Sequence, residues 1–393
     1  MMISSGAAVS GNAVALGALG VAAALSMASM RACDALLPAL AADFSVPVGA
    51  AAQSISAFVL AYGLLQLVYG PLGDRFGKLR VIAVALTACS IANVLAALAP
   101  TMTSLAAARG LSGAAAAGII PMSMARIGDT VPFEGRQQVL ARYLFATVGG
   151  LIAGQWLSGL IAEAIDWRAV FWVLATGFAV AALLVHRQAS RAARDMAANA
   201  SFAKQIQTVL GEPWARIILL ITAIEGLFTL AGFAFVPAYL HRQFGLGLGA
   251  AGGVMAMYGA GGLAYVFVSR VLIRRLTIRA LASWGGVFLG LGFATVATGS
   301  RWEWSLLGCF LGGLGFYMLH NTLQTQATQM VPQARGTAVG LFSASLFFGQ
   351  AIGMAIAAVV VDSFGEAPLF ELAAIALPVL AMAYGRLAHL KGH

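Results

Sequence analysis

Five ionisable residues lie inside long apolar runs: Arg31, Asp34, Arg109, Glu225 and His320. An ionisable group at membrane depth is costly, so its uses are few: handling an ion or substrate, relaying a proton, or pairing to fix one helix on another. Arg31 and Asp34 stand three residues apart, on one face of a helix. Asp34 lies about seven residues before the end of its run and Arg109 about six after the start of its own, roughly 10 Å and 9 Å at helical rise. That common depth predicts a buried Arg31–Asp34–Arg109 cluster. A carboxylate there feels two opposed influences, since burial favours the protonated form and a guanidinium neighbour favours the charged one. If access shifts that balance, the site takes up a proton on one side and releases it on the other. The alternative is an ion pair that only ties two helices.

Glu225 falls near the middle of its run. It reads as a second protonation site, the partner of a cationic substrate, or a hydrogen-bonded packing residue. His320 opens the polar series His320-Asn-Thr-Leu-Gln-Thr-Gln326, in which Asn321 and Gln324 supply further donors and acceptors. A histidine there could move protons near neutral pH; equally, the series could be a helix emerging into water. Glu371, near the start of the last run, is expected at an interface.

The elements that must position these residues are membrane helices. The 393 residues are 61% hydrophobic and 9% charged, against about 25% charged in soluble domains. Their mean hydropathy is +0.89. Runs of about 20 apolar residues fall near 13–41, 50–72, 80–99, 103–127, 138–161 and 168–186. Six more fall near 215–240, 250–269, 279–298, 303–326, 336–361 and 367–387. Cys33, Cys89 and Cys309 all lie within such runs, which argues against a disulfide framework or a metal site. Residues 1–12 carry no Lys or Arg, so the N-terminus reads as retained rather than as a cleaved signal.

The net charge of +9 would fit nucleic acid, but the bases sit in alternate loops. Of the 23 Lys and Arg, eighteen fall on the side of the turn at residues 70–80, three on the other side and two inside runs. The positive-inside rule then puts both termini in the cytoplasm. Residues 187–215 read as a cytoplasmic linker between bundles at 1–186 and 216–393. The halves also repeat: Arg136, Gly150 and Gly154 recur as Arg335, Gly349 and Gly353, each shifted by 199 residues, with Val-Pro before both series.

The turn itself reads Gly70-Pro-Leu-Gly-Asp-Arg-Phe-Gly-Lys-Leu-Arg80. It resembles G-x-L-x-D-R-x-G-[RK], the signature of the major facilitator superfamily. Asp34-Ala-Leu-Leu-Pro38 and Arg109-Gly-Leu-Ser-Gly113 resemble the first- and fourth-helix patterns of that family's 12-span multidrug:proton antiporters. The resemblance implies an all-α membrane protein of twelve helices, two parallel six-helix repeats around a cavity lined by helices 1, 4, 7 and 10. It implies that Asp74 meets the start of helix 11 near Arg335-Gly336. Gly70, Gly73 and Gly77 would permit a sharp turn and close helix approach. Arg75, Lys78 and Arg80 would pair with Asp129 or Glu134. With Arg136, these groups form a cytoplasmic gate; the alternative is bases that only set topology. The counterpart turn, residues 269–279, keeps the bases but lacks the acid and glycines.

Exporters of this family carry G-x-x-x-G-P-x-x-G-G in helix 5. Here the stretch has Gly150, Gly154 and Gly159, with Gln155 in place of proline and Ser158 in place of glycine; the glycines alone permit close packing. In helices 7, 8 and 10, Phe228, Phe233, Phe235, Met255, Met257, Tyr258, Phe310, Phe316, Tyr317 and Met318 suit a lipophilic ligand if they face the cavity, and mean nothing if they face lipid. The reading is a proton-coupled exporter of small lipophilic or drug-like molecules, working as a monomer in the cytoplasmic (inner) membrane. Uptake of a small metabolite, or a non-transporting receptor or assembly partner, stays open. No nucleophile–base pair, metal-ligand spacing or phosphate loop marks an enzyme, and neither a cofactor nor a nucleic-acid partner is expected.

Overall fold

A chain whose solvent is lipid must satisfy its backbone within each segment, and helices do this alone. The computed structural model describes residues 4–189 and 202–390, with side chains from 16 onward except those of Phe133, Glu134, Gln137, Ala189, Phe202, His389 and Leu390. The expected pairing of Glu134, and the bases Arg191, Arg194 and Lys391, lie outside the described side chains. Span 1 comprises Ser4–Arg31 and, after an interruption, Leu37–Phe44. Eleven further helices are long and apolar enough to cross a membrane among the described residues. Spans 2–6 are Val48–Phe76, Lys78–Ala97, Met102–Thr130, Gln138–Ala164 and Trp167–Gln188. Spans 7–12 are Pro213–Phe244, Leu248–Arg275, Ile278–Thr298, Trp304–Ala327, Pro332–Phe364 and Ala367–Ala388. A short helix, Phe202–Gly211, precedes span 7.

Lipid offers no hydrophobic drive between helices, so close approach through small residues does the packing. The repeated glycines serve that purpose in both halves. A Cβ on Gly150 or Gly154 of span 5 would meet the Ala24 or Ala28 carbonyl of span 1 at 2.1 and 2.4 Å. Gly349 and Gly353 of span 11 stand in the same relation to Ala223 and Leu227 of span 7, at 1.8 and 2.2 Å. These partners are also one repeat apart, so the sequence repeat is a repeat of packing.

Apart from a smaller contact between Leu37–Phe44 of span 1 and Val236–Phe244 of span 7, the first six and last six spans meet chiefly along two seams. In one, span 2 packs on span 11, from Gly49 beside Asp362 to Leu67 beside Gly340. In the other, span 5 packs on span 8, from Glu163 beside Gly247 to Val148 beside Gly259. Both seams run from the face remote from the residue 70–80 turn to mid-molecule. Among the described residues, Gly336, at the other end of span 11, has no such neighbour within 4 Å.

We expect Gly154→Val to lower the melting temperature of the detergent-solubilised protein by about 5 °C or more. Gly149→Val, little more than one turn away with open space around its Cα, should leave the melt close to wild type.

Candidate functional site

Span 1 breaks at residues 32–36, just before Pro38, which has no N–H to give. Asp34 sits in the break. Its Oδ2 is 3.2 Å from Arg31 Nη1, and both side chains are buried. Gln155 of span 5 donates Nε2–H to the same oxygen at 3.0 Å. The other oxygen, Oδ1, has no hydrogen-bond partner among the described residues. A buried ion pair of this kind gains stability only when its remaining lone pairs are satisfied, so the spare acceptor is a reactive feature.

Of the expected three-membered cluster, Arg109 makes no direct bond to Asp34 among the described residues, but its charge acts on that carboxylate through space. It is fully buried and donates from Nη2 to the Ser29 carbonyl at 2.8 Å, from Nη1 to Ser29 Oγ at 3.3 Å and from Nε to the Ser54 carbonyl at 3.3 Å. Its guanidinium lies 4.4 Å from the centre of the Phe58 ring. Ser29 Oγ lies 3.5 Å from Ser112 Oγ, which accepts from Asn93 at 3.3 Å. The depth estimate treated span 1 as continuous. The interruption changes which groups face span 4, and a five-donor guanidinium takes main-chain acceptors on spans 1 and 2 instead of the carboxylate.

The second polar centre is in the last six spans. Glu225 is fully buried, with Oε2 2.9 Å from His320 Nδ1 and Oε1 without a hydrogen-bond partner among the described residues. A π-helical turn, Gly226–Leu230, follows it directly; such turns in α-helices often mark functional sites. The His320 ring stacks on Phe316 at 4.9 Å and lies 5.0 Å from Phe342. Phe316 is in turn 6.0 Å from Tyr258, whose hydroxyl is buried without a hydrogen-bond partner among the described residues. Asn321 donates to the Tyr265 hydroxyl at 3.1 Å, while Gln324 is exposed. The polar series therefore divides by helix face: His320 and Asn321 make partly buried contacts, Thr322 and Gln326 are buried, and Gln324 and Thr325 are exposed. Glu371 is exposed.

Several aromatics face neither cavity nor lipid. Phe233, Phe235 and Met255 are fully buried, and Phe233 packs 4.3 Å from Phe293 and 4.9 Å from Tyr258. Their role is helix packing, which a hydropathy pattern does not separate from cavity lining.

At the turn after span 2, Gly77 has φ +88°, a conformation that glycine adopts without strain. Lys78 pairs with Asp129. Arg136 donates to the carbonyls of Gly128, at 2.7 Å, and Val131, at 3.2 Å, closing the end of span 4. Arg75 lies over the Phe76 ring, 5.2 Å from its centre. Gly73 presses on Met122, but Gly70 has open space and makes no close approach. Asp74 has neither an ion pair nor a hydrogen bond to the start of span 11 among the described residues. Gly336 is likewise free there. Gly159 packs on the Leu248 carbonyl of span 8, across the seam between the halves.

Gln155, Ser29 and Ser54 are the site residues that sequence reasoning passed over. Gln155 carried a signal: an amide in an apolar run, where the family pattern has proline. The two serines carried none, because Arg109 uses chiefly their carbonyls. Among the described residues no cluster of three or more His, Cys, Asp and Glu is placed to hold a metal.

A family model described as Major Facilitator Superfamily matches residues 19–354. The chain is 24% identical over 335 residues to the uncharacterized MFS-type transporter YceJ of Bacillus subtilis (strain 168), covering 82% of this chain and 83% of that one. It is 26% identical over 325 residues to a chloramphenicol resistance protein of Streptomyces lividans, again covering 82% and 83%. Its fold is similar to that of the nucleoside transporter NupG, with a TM-score of 0.79, 15% identity, and coverage of 94% of this chain and 98% of that one.

Replacing Arg109 by Lys should destabilise the protein by about 1–3 kcal/mol, since buried carbonyls lose their donors. Asp129→Asn, at a partly exposed pair, should cost about 1 kcal/mol or less. Thermal unfolding followed by circular dichroism checks both.

Proposed function

The chain belongs to the major facilitator superfamily, and on that premise we propose a proton-coupled secondary transporter that exports small lipophilic or drug-like molecules by alternating access. Membership makes it a multi-pass membrane protein acting on a small molecule rather than an enzyme. The observation that carries the coupling reading is Asp34: a buried carboxylate held by Arg31 and Gln155, with one oxygen free. Protonation of the free oxygen removes the charge that Arg31 neutralises and weakens the hydrogen bond that Asp34 accepts from Gln155. A proton and the state of the span 1–span 5 contact are thereby linked.

Export is supported by the similarity to the chloramphenicol resistance protein and by the lipophilic surroundings of Tyr258 and His320. Glu225 and His320 form a second proton-handling or substrate-contacting pair, with Asn321 and Gln324 nearer the aqueous opening. Residues 1–186 and 216–393 act as the two moving bodies, joined by the linker at 187–215. Both termini are in the cytoplasm of a cell whose inner membrane holds the protein as a monomer. On this orientation the cytoplasmic gate (Gly70, Asp74, Arg75, Gly77, Lys78, Asp129, Arg136) is disengaged between the halves, and the opposite face is closed. Uptake is a second reading, favoured by Gln155 in the place of the exporters' proline.

The test uses protein in liposomes enclosing a pH-sensitive dye, with lipophilic cations, neutral aromatics and small organic anions added in turn under a proton gradient. Wild type should give substrate-evoked proton movement, and Asp34→Asn should lose at least about 90% of it, a tenfold effect of the size expected for a proton-transfer group. The sign of movement separates export by antiport from uptake by symport. No proton movement with any class, in monodisperse protein, would sink the coupling reading and favour a receptor. Glu225→Gln and His320→Asn should each alter the pH profile; if both leave it unchanged, the second centre is structural.

A further inference from the structure

Two carboxylates sit at the ends of the seams between the first and last six spans, remote from the basic turn. Asp362, at the end of span 11, accepts the Gly49 amide of span 2 through Oδ1 at 2.7 Å. Glu163, at the end of span 5, accepts the Gly249 amide of span 8 through Oε2 at 3.0 Å. Each bond crosses from one half to the other. Glu163 and Asp362 are one repeat apart, and Gly49 and Gly249 are one repeat apart to within a residue, so the two contacts are one device used twice.

The chemistry of each contact is the same. The first amides of a helix have no partner inside it, and the aligned peptide dipoles make that end favourable for a negative charge. Gly49 and Gly249 lie in the opening turns of spans 2 and 8, in Val48–Ala51 and Leu248–Val254, each of which continues after a one-residue turn into the rest of its span. A side chain there would crowd the contact, since a Cβ on Gly49 would stand 2.6 Å from Asp362 Oδ2, and one on Gly249 would stand 2.4 Å from Leu160 Cδ2 and 3.3 Å from Glu163 Oε2. Neither carboxylate has a Lys, Arg or His partner among the described residues, so the helix end of the opposite half is its counter-charge. Acid and bare backbone are matched at both seams.

We propose that Glu163 and Asp362 are paired latch residues that hold the non-basic face closed by binding the helix ends of the opposite half, and that both bonds must break for that face to open. The proposal deepens the alternating-access reading and rests on it for its role in transport. The latch itself is an equilibrium property that is measured without substrate or proton flux. Packing of glycine on span backbones holds mid-membrane; the latches act at the aqueous edge, where both acids are exposed and where salt screens charge–dipole attraction.

The experiment is a double electron–electron resonance measurement on full-length protein in nanodiscs. Nitroxides are placed at Ile165 and Ser300, exposed positions in the two halves at the non-basic face. The buried native cysteines Cys33, Cys89 and Cys309 are replaced by alanine in the background. Wild type should give mainly one short distance. Glu163→Gln and Asp362→Asn, which keep an acceptor but remove the charge, should each raise the long-distance population about threefold, and the pair about tenfold. Raising salt from 20 to 500 mM, values chosen as roughly a fivefold change in Debye length, should move wild type the same way and leave the double variant unchanged.

A double variant whose distance distribution and salt response match wild type would overturn the proposal. Should the double variant fail to purify as a monodisperse species, the wild-type salt response decides alone: an insensitive distance distribution overturns the latch. A salt-sensitive shift in protein that shows no substrate-evoked proton movement would leave the latch standing while the coupling reading fails.

Discussion

No water is available in the hydrocarbon core to satisfy a loose polar group, and every notable feature of this molecule follows from that constraint. A backbone interruption at membrane depth is tolerated only where protein supplies the missing partners. Span 1 is interrupted beside Asp34, and the groups around the break are met from three neighbours: Arg31 within the span, Gln155 from span 5 and Arg109 from span 4. Arg109 binds the backbone on one side of the break, while Arg31 and Gln155 bind the carboxylate inside it. The structural and the chemically poised parts of the site are thus adjacent but divided between two arginines.

The same constraint shapes the way the halves meet. Without a hydrophobic drive between helices, association relies on close backbone contact through small residues. Gly150 and Gly154 bind span 5 to span 1 within the first half, and Gly349 and Gly353 do the same for spans 11 and 7. Between halves the contact lines are comparably extensive, along spans 2 and 11 and spans 5 and 8, and among the described residues Gly336 at the basic end of span 11 has no close neighbour. Gln155 sits where both kinds of contact converge: its side chain binds Asp34, and its carbonyl would stand 2.3 Å from a Cβ on Gly252 of span 8.

Much of the fold was legible because hydropathy and length report directly on lipid. Eleven of the expected spans match the described helices closely; the first starts earlier, at Ser4, and is broken before Pro38. The turn signature and the repeat of Arg136, Gly150 and Gly154 were legible because they depend on local residue type and spacing. The candidate site was legible as a set of residues but not as a set of bonds. Arg31 and Asp34 pair within one helix, where spacing decides the outcome. Arg109 acts on Asp34 only through space, because its hydrogen bonds go chiefly to carbonyls, which leave no mark in a sequence.

From sequence alone came the membrane helices, their number, the division of charge between faces and most of the buried ionisable groups, though not Glu366, since each is a sum over local residue properties. The tertiary structure alone decided that Glu225 meets His320, that Arg109 leaves Asp34 to Arg31 and Gln155, and that Asp74 stands free of span 11. It also decided that Glu163 and Asp362 bind helix ends of the opposite half. All of these depend on which faces of distant helices come together. That is set by the shape of packed side chains and by main-chain groups, which every residue carries and no sequence pattern distinguishes.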